Sequence, residues 1–265
     1  MNKVTSKDGT TIAYDQLGAG PPVILVAGAL GVRKHPIVAD LAQLLAAHFT
    51  VINYDRRGKG DSGDTPPYAV AREIEDIAAL IDAAGGSAAL YGISSGANLA
   101  LAAANALPGR VTKLALYEPP VIVDDSRPPM PADYVQQIHD LVAADRRGDA
   151  VELFMRHVGV PEEFLPQMHA MPMWPQMEQA AHTLAYDGLI MGDTQSGKPL
   201  APGQWPAATM PTLVIVGGDS PPFFHNGTRA LTDQLPNAQH ATLPGQTHEV
   251  SAAALAPVLT EFFAA

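Results

Sequence analysis

The stretch "LYGISSGANLALAAA", Leu90 to Ala104, decides the fold. An apolar run enters it, two glycines frame two serines, and an Ala/Leu-rich run leaves it. Gly92-Ile93-Ser94-Ser95-Gly96 has the spacing G-x-S-x-G. A strand before it and a helix after it give that spacing a mechanism. A sharp strand-to-helix turn pushes one side chain out at the carboxyl edge of a sheet, and small residues two before and two after relieve the crowding. The residue so presented is Ser94. Ser95 then has a different task. Its backbone N–H lies at the helix start, free of an intrahelical partner and aligned with the positive end of the dipole, so it can donate to an oxyanion. The plainer reading of the same residues is a glycine-rich turn with no chemistry.

Outward from this turn, strands and helices alternate. On the N-terminal side, "KVTS" and "TIAYDQLG" flank the turn Asp8-Gly9 and predict a hairpin. "VILV", Val23 to Val26, is a continuous apolar run, as a strand buried on both faces requires. "DLAQLLAAH" follows at helical spacing, and "FTVINYD" is the next strand. Val70, Ile74, Ile77 and Ile81 form one helical stripe that Gly85-Gly86 ends. Beyond the turn come the strands "VTKLALYE", "PTLVIVGG" and "AQHATLPG", with helices near Gly227 to Gln234 and Ala256 to Phe263. The rhythm predicts an α/β fold: a mostly parallel eight-stranded sheet with helices on both faces.

One stretch breaks the rhythm. From about Val123 to Pro206 no strand is expected. "ADYVQQIHDLVAADRR", "DAVELFMRHVGV" and "WPQMEQAAHTLAYDGL" each read as a helix, and eight of the nine Met fall between Met130 and Met210. The expected organisation is a core of residues 1–122 and 207–265, with a helical insertion over 123–206.

Composition narrows the function classes. The net charge of −11 argues against nucleic acid or an anionic membrane as the main partner. There is no Cys, hence no disulfide and no thiolate metal site. No window approaches a membrane span, and "MNKVTSKDGTTIAY" lacks the apolar core of a signal peptide, so a soluble cytoplasmic protein is expected. The partner expected is a small-molecule substrate, and a homodimer is left open. No cofactor is expected.

A Ser hydroxyl needs a base, and the base needs an orienting carboxylate. Sheets with this turn carry them in the order Ser, Asp/Glu, His. Asp219 follows the strand "PTLVIVGG", and His248 follows the last strand in "LPGQTHEV". Loops after strands are where α/β sheets place their sites. The sequence resembles the α/β-hydrolase superfamily over nearly its whole length. The resemblance rests on "GISSGA", "IVGGDS", "GQTHEV", "VILVAGALG" and the loop "YDRRGKGDSGD". It implies Ser94 as nucleophile, His248 as general base and then acid, Asp219 as its carboxylate, and the insertion as a cap over the site. Where many members have His-Gly after the third strand, this chain has Ala27-Gly28. The second oxyanion donor would be the N–H of Ala29, with Leu30 as the alternative.

Rivals exist for each role. His35 and His48 precede the serine, the wrong order for the base. His139, His157, His169 and His182 lie in the insertion, His225 opens a helix and His240 sits in a strand. Glu118, in "LYEPP", ends the preceding core strand, where some members of the superfamily place their acid; beside Asp219 it reads as structural. Asp124 and Asp125 lie slightly further on. "DRRGKGDSG" lacks the spacing of a phosphate loop and reads as a tight turn whose Arg and Asp pair locally, with Asp61 and Asp64 solvated. Among the Met-rich residues, Met155, Met173 and Met177, with Trp174 and Leu30, are candidates for an apolar roof over a substrate.

The reaction expected is hydrolysis of a small apolar ester or lactone through an acyl-enzyme. Carbon–carbon bond hydrolysis or perhydrolysis by the same residues, and a non-catalytic ligand-binding pocket, are the alternatives. Ser94 at the turn argues against the Asp-nucleophile epoxide hydrolases and dehalogenases of this fold.

Overall fold

A computed structural model describes all 265 residues. Eight strands form one sheet in the order β1-β2-β4-β3-β5-β6-β7-β8. They are β1 (Asn2–Thr5), β2 (Thr11–Leu17), β3 (Pro22–Val26), β4 (Thr50–Tyr54), β5 (Ala88–Ile93), β6 (Val111–Tyr117), β7 (Thr212–Gly217) and β8 (Ala238–Leu243). The predicted hairpin is there: β1 and β2 pair antiparallel around Gly9, which takes φ 87°. β2 is also antiparallel to β4, and every other pairing is parallel. β7 is buried along its whole length, and β3 and β5 nearly so, as their unbroken apolar runs require.

Helices cover both faces. α1 (Pro36–Leu45) and α10 (Ala252–Ala264) pack on one side. There Leu41, Leu45, Leu255 and Leu259 meet Leu25, Tyr91 and Ile215 of the sheet. α2 (Val70–Ala83), α3 (Ser95–Ala106) and α9 (Pro222–Gln234) cover the other side, where Ile77, Ile81, Leu99 and Leu231 meet Ile24, Leu90 and Val214. α2 stops as its sequence predicts: Gly85 and Gly86 both take positive φ, and the Gly86 N–H donates back to the Ile81 carbonyl at 2.9 Å. The loop after β3 leads to a helix on one face, and the loop after β5 leads to a helix on the other. Between these two strand ends lies the switch point, where α/β sheets bind ligands.

Between β6 and β7 the chain forms helices only. These are α4 (Tyr134–Ala143), α5 (Arg147–Val158), α6 (Leu165–Met168), α7 (Trp174–Gln179) and α8 (Thr183–Met191), with short 3₁₀ turns at Glu162–Phe164 and Gly192–Gln195. "WPQMEQAAHTLAYDGL", expected as one helix, is two. Its first helix ends at Gln179, and the Thr183 hydroxyl donates to the Ala180 carbonyl at 2.7 Å as the second begins. α8 lies against α2 and α3, so the inserted helices are anchored to the face from which Ser94 emerges. No helix is long and apolar enough to cross a membrane.

Candidate active site

Ser94 lies between β5 and α3 with φ 57° and ψ −134°, a conformation that costs a non-glycine residue about 1–3 kcal/mol. The flanking glycines are dictated by space. A Cβ on Gly92 would stand 2.5 Å from the Gly96 carbonyl oxygen, and one on Gly96 would stand 2.4 Å from that of Val26. Gly28, after β3, also faces the turn: a Cβ there would lie 2.9 Å from the Ser94 Cβ.

Strain clusters here. Four non-glycine residues have positive φ, and three of them, Leu30, Ser94 and Glu118, follow β3, β5 and β6 at the same edge of the sheet. Strain persists only where surrounding structure over-determines it, and such residues gather at functional sites.

The carboxylate facing His248 is Glu118. Its Oε2 lies 2.8 Å from His248 Nδ1. Its Oε1 accepts the Gly217 N–H at 2.7 Å and the Ser220 hydroxyl. Glu118 is fully buried, while the His248 side chain is 39% exposed, with Phe224 stacked on its ring at 4.7 Å. Asp219, the acid expected from the sequence, is exposed and makes no hydrogen bond or ion pair with His248. Its backbone is what serves, as the Asp219 N–H donates to the Gln246 carbonyl at 2.9 Å and ties down the histidine loop. Glu118, expected as structural, takes the place beside the imidazole because its positive φ turns it inward from the strand end. The clue was present in "IVGGDS", where Gly217 and Ser220 are the two groups that hold Glu118.

Tyr117 connects the parts. Its carbonyl accepts the Ser94 N–H at 3.0 Å, and its hydroxyl donates to the Thr247 carbonyl, next to His248, at 2.6 Å. The serine turn, the buried acid and the histidine loop therefore share one anchor at the end of β6.

The Ala29 backbone N–H has no acceptor within the protein, and that of Ser95 opens the first turn of α3. Ala29 and Leu30 pack against an apolar cluster of the inserted helices that includes Tyr134, Met155 and Leu184. Met177 joins the same cluster. Met173 does not: it is 37% exposed. Trp174 is a buried member of that cluster; its ring lies tilted against His169 at 4.3 Å and also lines a polar cleft of about 460 Å³ beside Arg146, Glu152 and Glu178.

The loop "DRRGKGDSGD" is wired differently from the local pairing its sequence suggests. Asp55 pairs with Arg33, which also holds Asp61 at 2.7 Å. Arg57 is bidentate to Asp76 at 2.7 Å. Arg56 is bidentate to Glu73 at 2.7 and 2.8 Å. Asp64, expected to be solvated, accepts the Tyr186 hydroxyl of α8 at 2.7 Å.

Residues 23–259 match the model of the alpha/beta hydrolase family. The chain belongs to this family. An alpha/beta hydrolase from Sphaerobacter thermophilus DSM 20745 is 53% identical, superposes with a TM-score of 0.90, and is matched over 99% of this chain and 100% of that one. A hydrolase from Pseudomonas aeruginosa PA01 is 23% identical with a TM-score of 0.75, over 100% and 98% of the two chains, and shares the fold. A putative non-heme bromoperoxidase from Mycobacterium tuberculosis is 34% identical over 92 residues. That match spans only 34% of each protein. The hydrolase family accommodates several chemistries, so the reaction has to be argued from the residues.

Proposed function

We propose that this protein is a serine hydrolase that cleaves small carboxylic esters or lactones through an acyl-enzyme, using Ser94, His248 and Glu118. The observation that carries the reading is the buried Glu118 carboxylate on His248 Nδ1 at 2.8 Å, tied through Tyr117 to a serine held at φ 57°. A carboxylate on Nδ1 fixes that nitrogen as the donor and leaves Nε2 free to take a proton.

In this mechanism Ser94 Oγ attacks the carbonyl carbon as His248 Nε2 removes its proton. Negative charge collects on the former carbonyl oxygen, where the N–H groups of Ser95 and Ala29 receive it. Glu118 stabilises the imidazolium without itself taking the proton. His248 protonates the leaving oxygen, the alcohol departs, and a water deprotonated by His248 hydrolyses the acyl-enzyme. Esters and lactones suit this arrangement because an alkoxide leaves more readily than an amide nitrogen. The inserted helices act as a cap, with Leu30, Met155 and Met177 forming an adaptable apolar roof.

The test is treatment with a fluorophosphonate, peptide mapping, and turnover of an ester and lactone panel. A single adduct on Ser94 is expected, with Ser94→Ala lowering kcat by about 10⁴ to 10⁶. Turnover that survives Ser94→Ala within roughly tenfold overturns the assignment.

A further inference from the structure

The second serine of the turn has its own partner. Ser95 is buried, and its hydroxyl donates to Asp187 Oδ1 at 2.7 Å. Asp187 is carried by α8, on the inserted helices. The same oxygen accepts Arg56 Nη1 at 2.7 Å, and Oδ2 lies 3.3 Å from Lys59 Nζ. With Glu73 on the far side of Arg56, two cations and two anions are buried together, none exposing more than 2% of its side chain. Desolvating such groups costs several kcal/mol per ion, and apolar residues of similar volume often serve stability as well or better. Packing alone gives little reason for them.

What they touch gives one. Lys59 Nζ also donates to the Gly28 carbonyl at 3.2 Å, and Arg56 Nη1 reaches the Ala27 carbonyl at 3.3 Å. The Gly28 carbonyl belongs to the same planar peptide unit as the Ala29 N–H. A cation held on that oxygen fixes the plane in which the N–H points and polarises it as a donor. Across the turn, Asp187 holds the side chain of the residue whose N–H is the other donor. We propose that Asp187 is a positioning residue for the oxyanion hole, fixing Ser95 directly, the Gly28–Ala29 peptide through Lys59, and the preceding Ala27–Gly28 peptide through Arg56.

This rests on the acyl-transfer reading above and adds that the hole is complete only when α8 is seated on the core. The charge states agree with it. Burial acts to raise the Asp187 carboxyl, but Arg56, Lys59 and the Ser95 hydroxyl outweigh it and keep the group below its ordinary range.

The experiment compares Asp187→Asn, Lys59→Met and Ser95→Ala with the wild type on p-nitrophenyl acetate. Active sites are first titrated with a fluorophosphonate, so misfolded protein drops out of the count. Inhibition by phenyl trifluoromethyl ketone, which Ser94 converts to an oxyanion adduct, is measured alongside. The expected result for Asp187→Asn is a loss of about 10- to 100-fold in kcat per titrated site, with KM within about threefold and ketone affinity falling in proportion to kcat. Lys59→Met and Ser95→Ala, which each remove one arm and leave the carboxylate, are expected to lose about threefold to tenfold each. They keep the test decisive if Asp187→Asn yields no titratable protein. Per-site kcat and ketone affinity within twofold of wild type in the folded variants overturn the inference alone. A wild type that the fluorophosphonate leaves unlabelled overturns the acyl-transfer reading and this inference with it.

Discussion

The loops after β6 and β7 leave the sheet side by side, and each carries an acid within two residues of its strand, Glu118 after Tyr117 and Asp219 after Gly217. Glu118 adopts φ 43°, is fully buried, and spends one oxygen on the neighbouring loop and the other on His248. Asp219 is exposed, and only its backbone reaches the histidine loop. The difference teaches that an acid is recruited by the direction in which its backbone aims it. The β7 loop looks like the acid loop, but it supplies the donors that hold its neighbour's carboxylate. β6 is one strand further from β8 than β7 is, and the longer side chain of Glu suits that reach.

The comparison is broken most directly by exchanging the charge on each acid. Glu118→Gln keeps the shape but leaves the imidazolium without its counter-charge, and is expected to lower kcat by about 10³ to 10⁴. Asp219→Asn is expected to stay within about twofold of wild type. The reverse pattern, in proteins with unchanged thermal unfolding, would return the acid role to Asp219. A smaller effect sharpens the contrast. Ser220→Ala removes one of the two donors on Glu118 Oε1 and leaves the other in place. The expected outcome is a fall in kcat of about threefold to tenfold and a loss of about 1 kcal/mol in urea unfolding. Unchanged kinetics would show that the Ser220 hydroxyl does not support Glu118.

A last measurement turns to the buried charges on the other side of the serine. Burial, followed by the Arg56 charge, brings Lys59 down to about 8, although Asp187 and Glu73 oppose the shift. An unfolded lysine titrates near 10.4. Between these values the unfolded chain binds more protons, so this residue's contribution to stability rises with pH from about 8 to about 10.4. The urea midpoint of wild type relative to Lys59→Met is therefore expected to rise between pH 7.5 and pH 10. A flat or falling difference would show that Lys59 carries no unfavourable buried charge.

Much of this was legible in the chain. The apolar runs of β3, β5 and β7, the glycine stop of α2 and the G-x-S-x-G frame all express local constraints. A strand buried on both faces must be apolar throughout, and a Cβ at Gly92 or Gly96 would collide with backbone. Residues whose meaning depends on a distant partner were misread or missed. Arg56 and Arg57 look like members of a local turn, yet they pair with Glu73, Asp187, Asp8 and Asp76. Met173 and Met177 sit four positions apart in one Met-rich run, and only Met177 reaches the apolar cluster. Composition cannot tell that Met173 precedes the short helix α7 while Met177 lies within it.

The sequence by itself determined the mostly parallel sheet, the position of the serine turn at its edge, and the histidine after the last strand. Each is set by a pattern of neighbours along the chain. The tertiary structure alone decided which carboxylate meets His248 and which one meets Ser95. Glu118 and Asp187 act across 130 and 92 residues, and no local spacing encodes such a distance. Their roles follow from an inward-turned backbone in one case and from the seating of α8 on the core in the other.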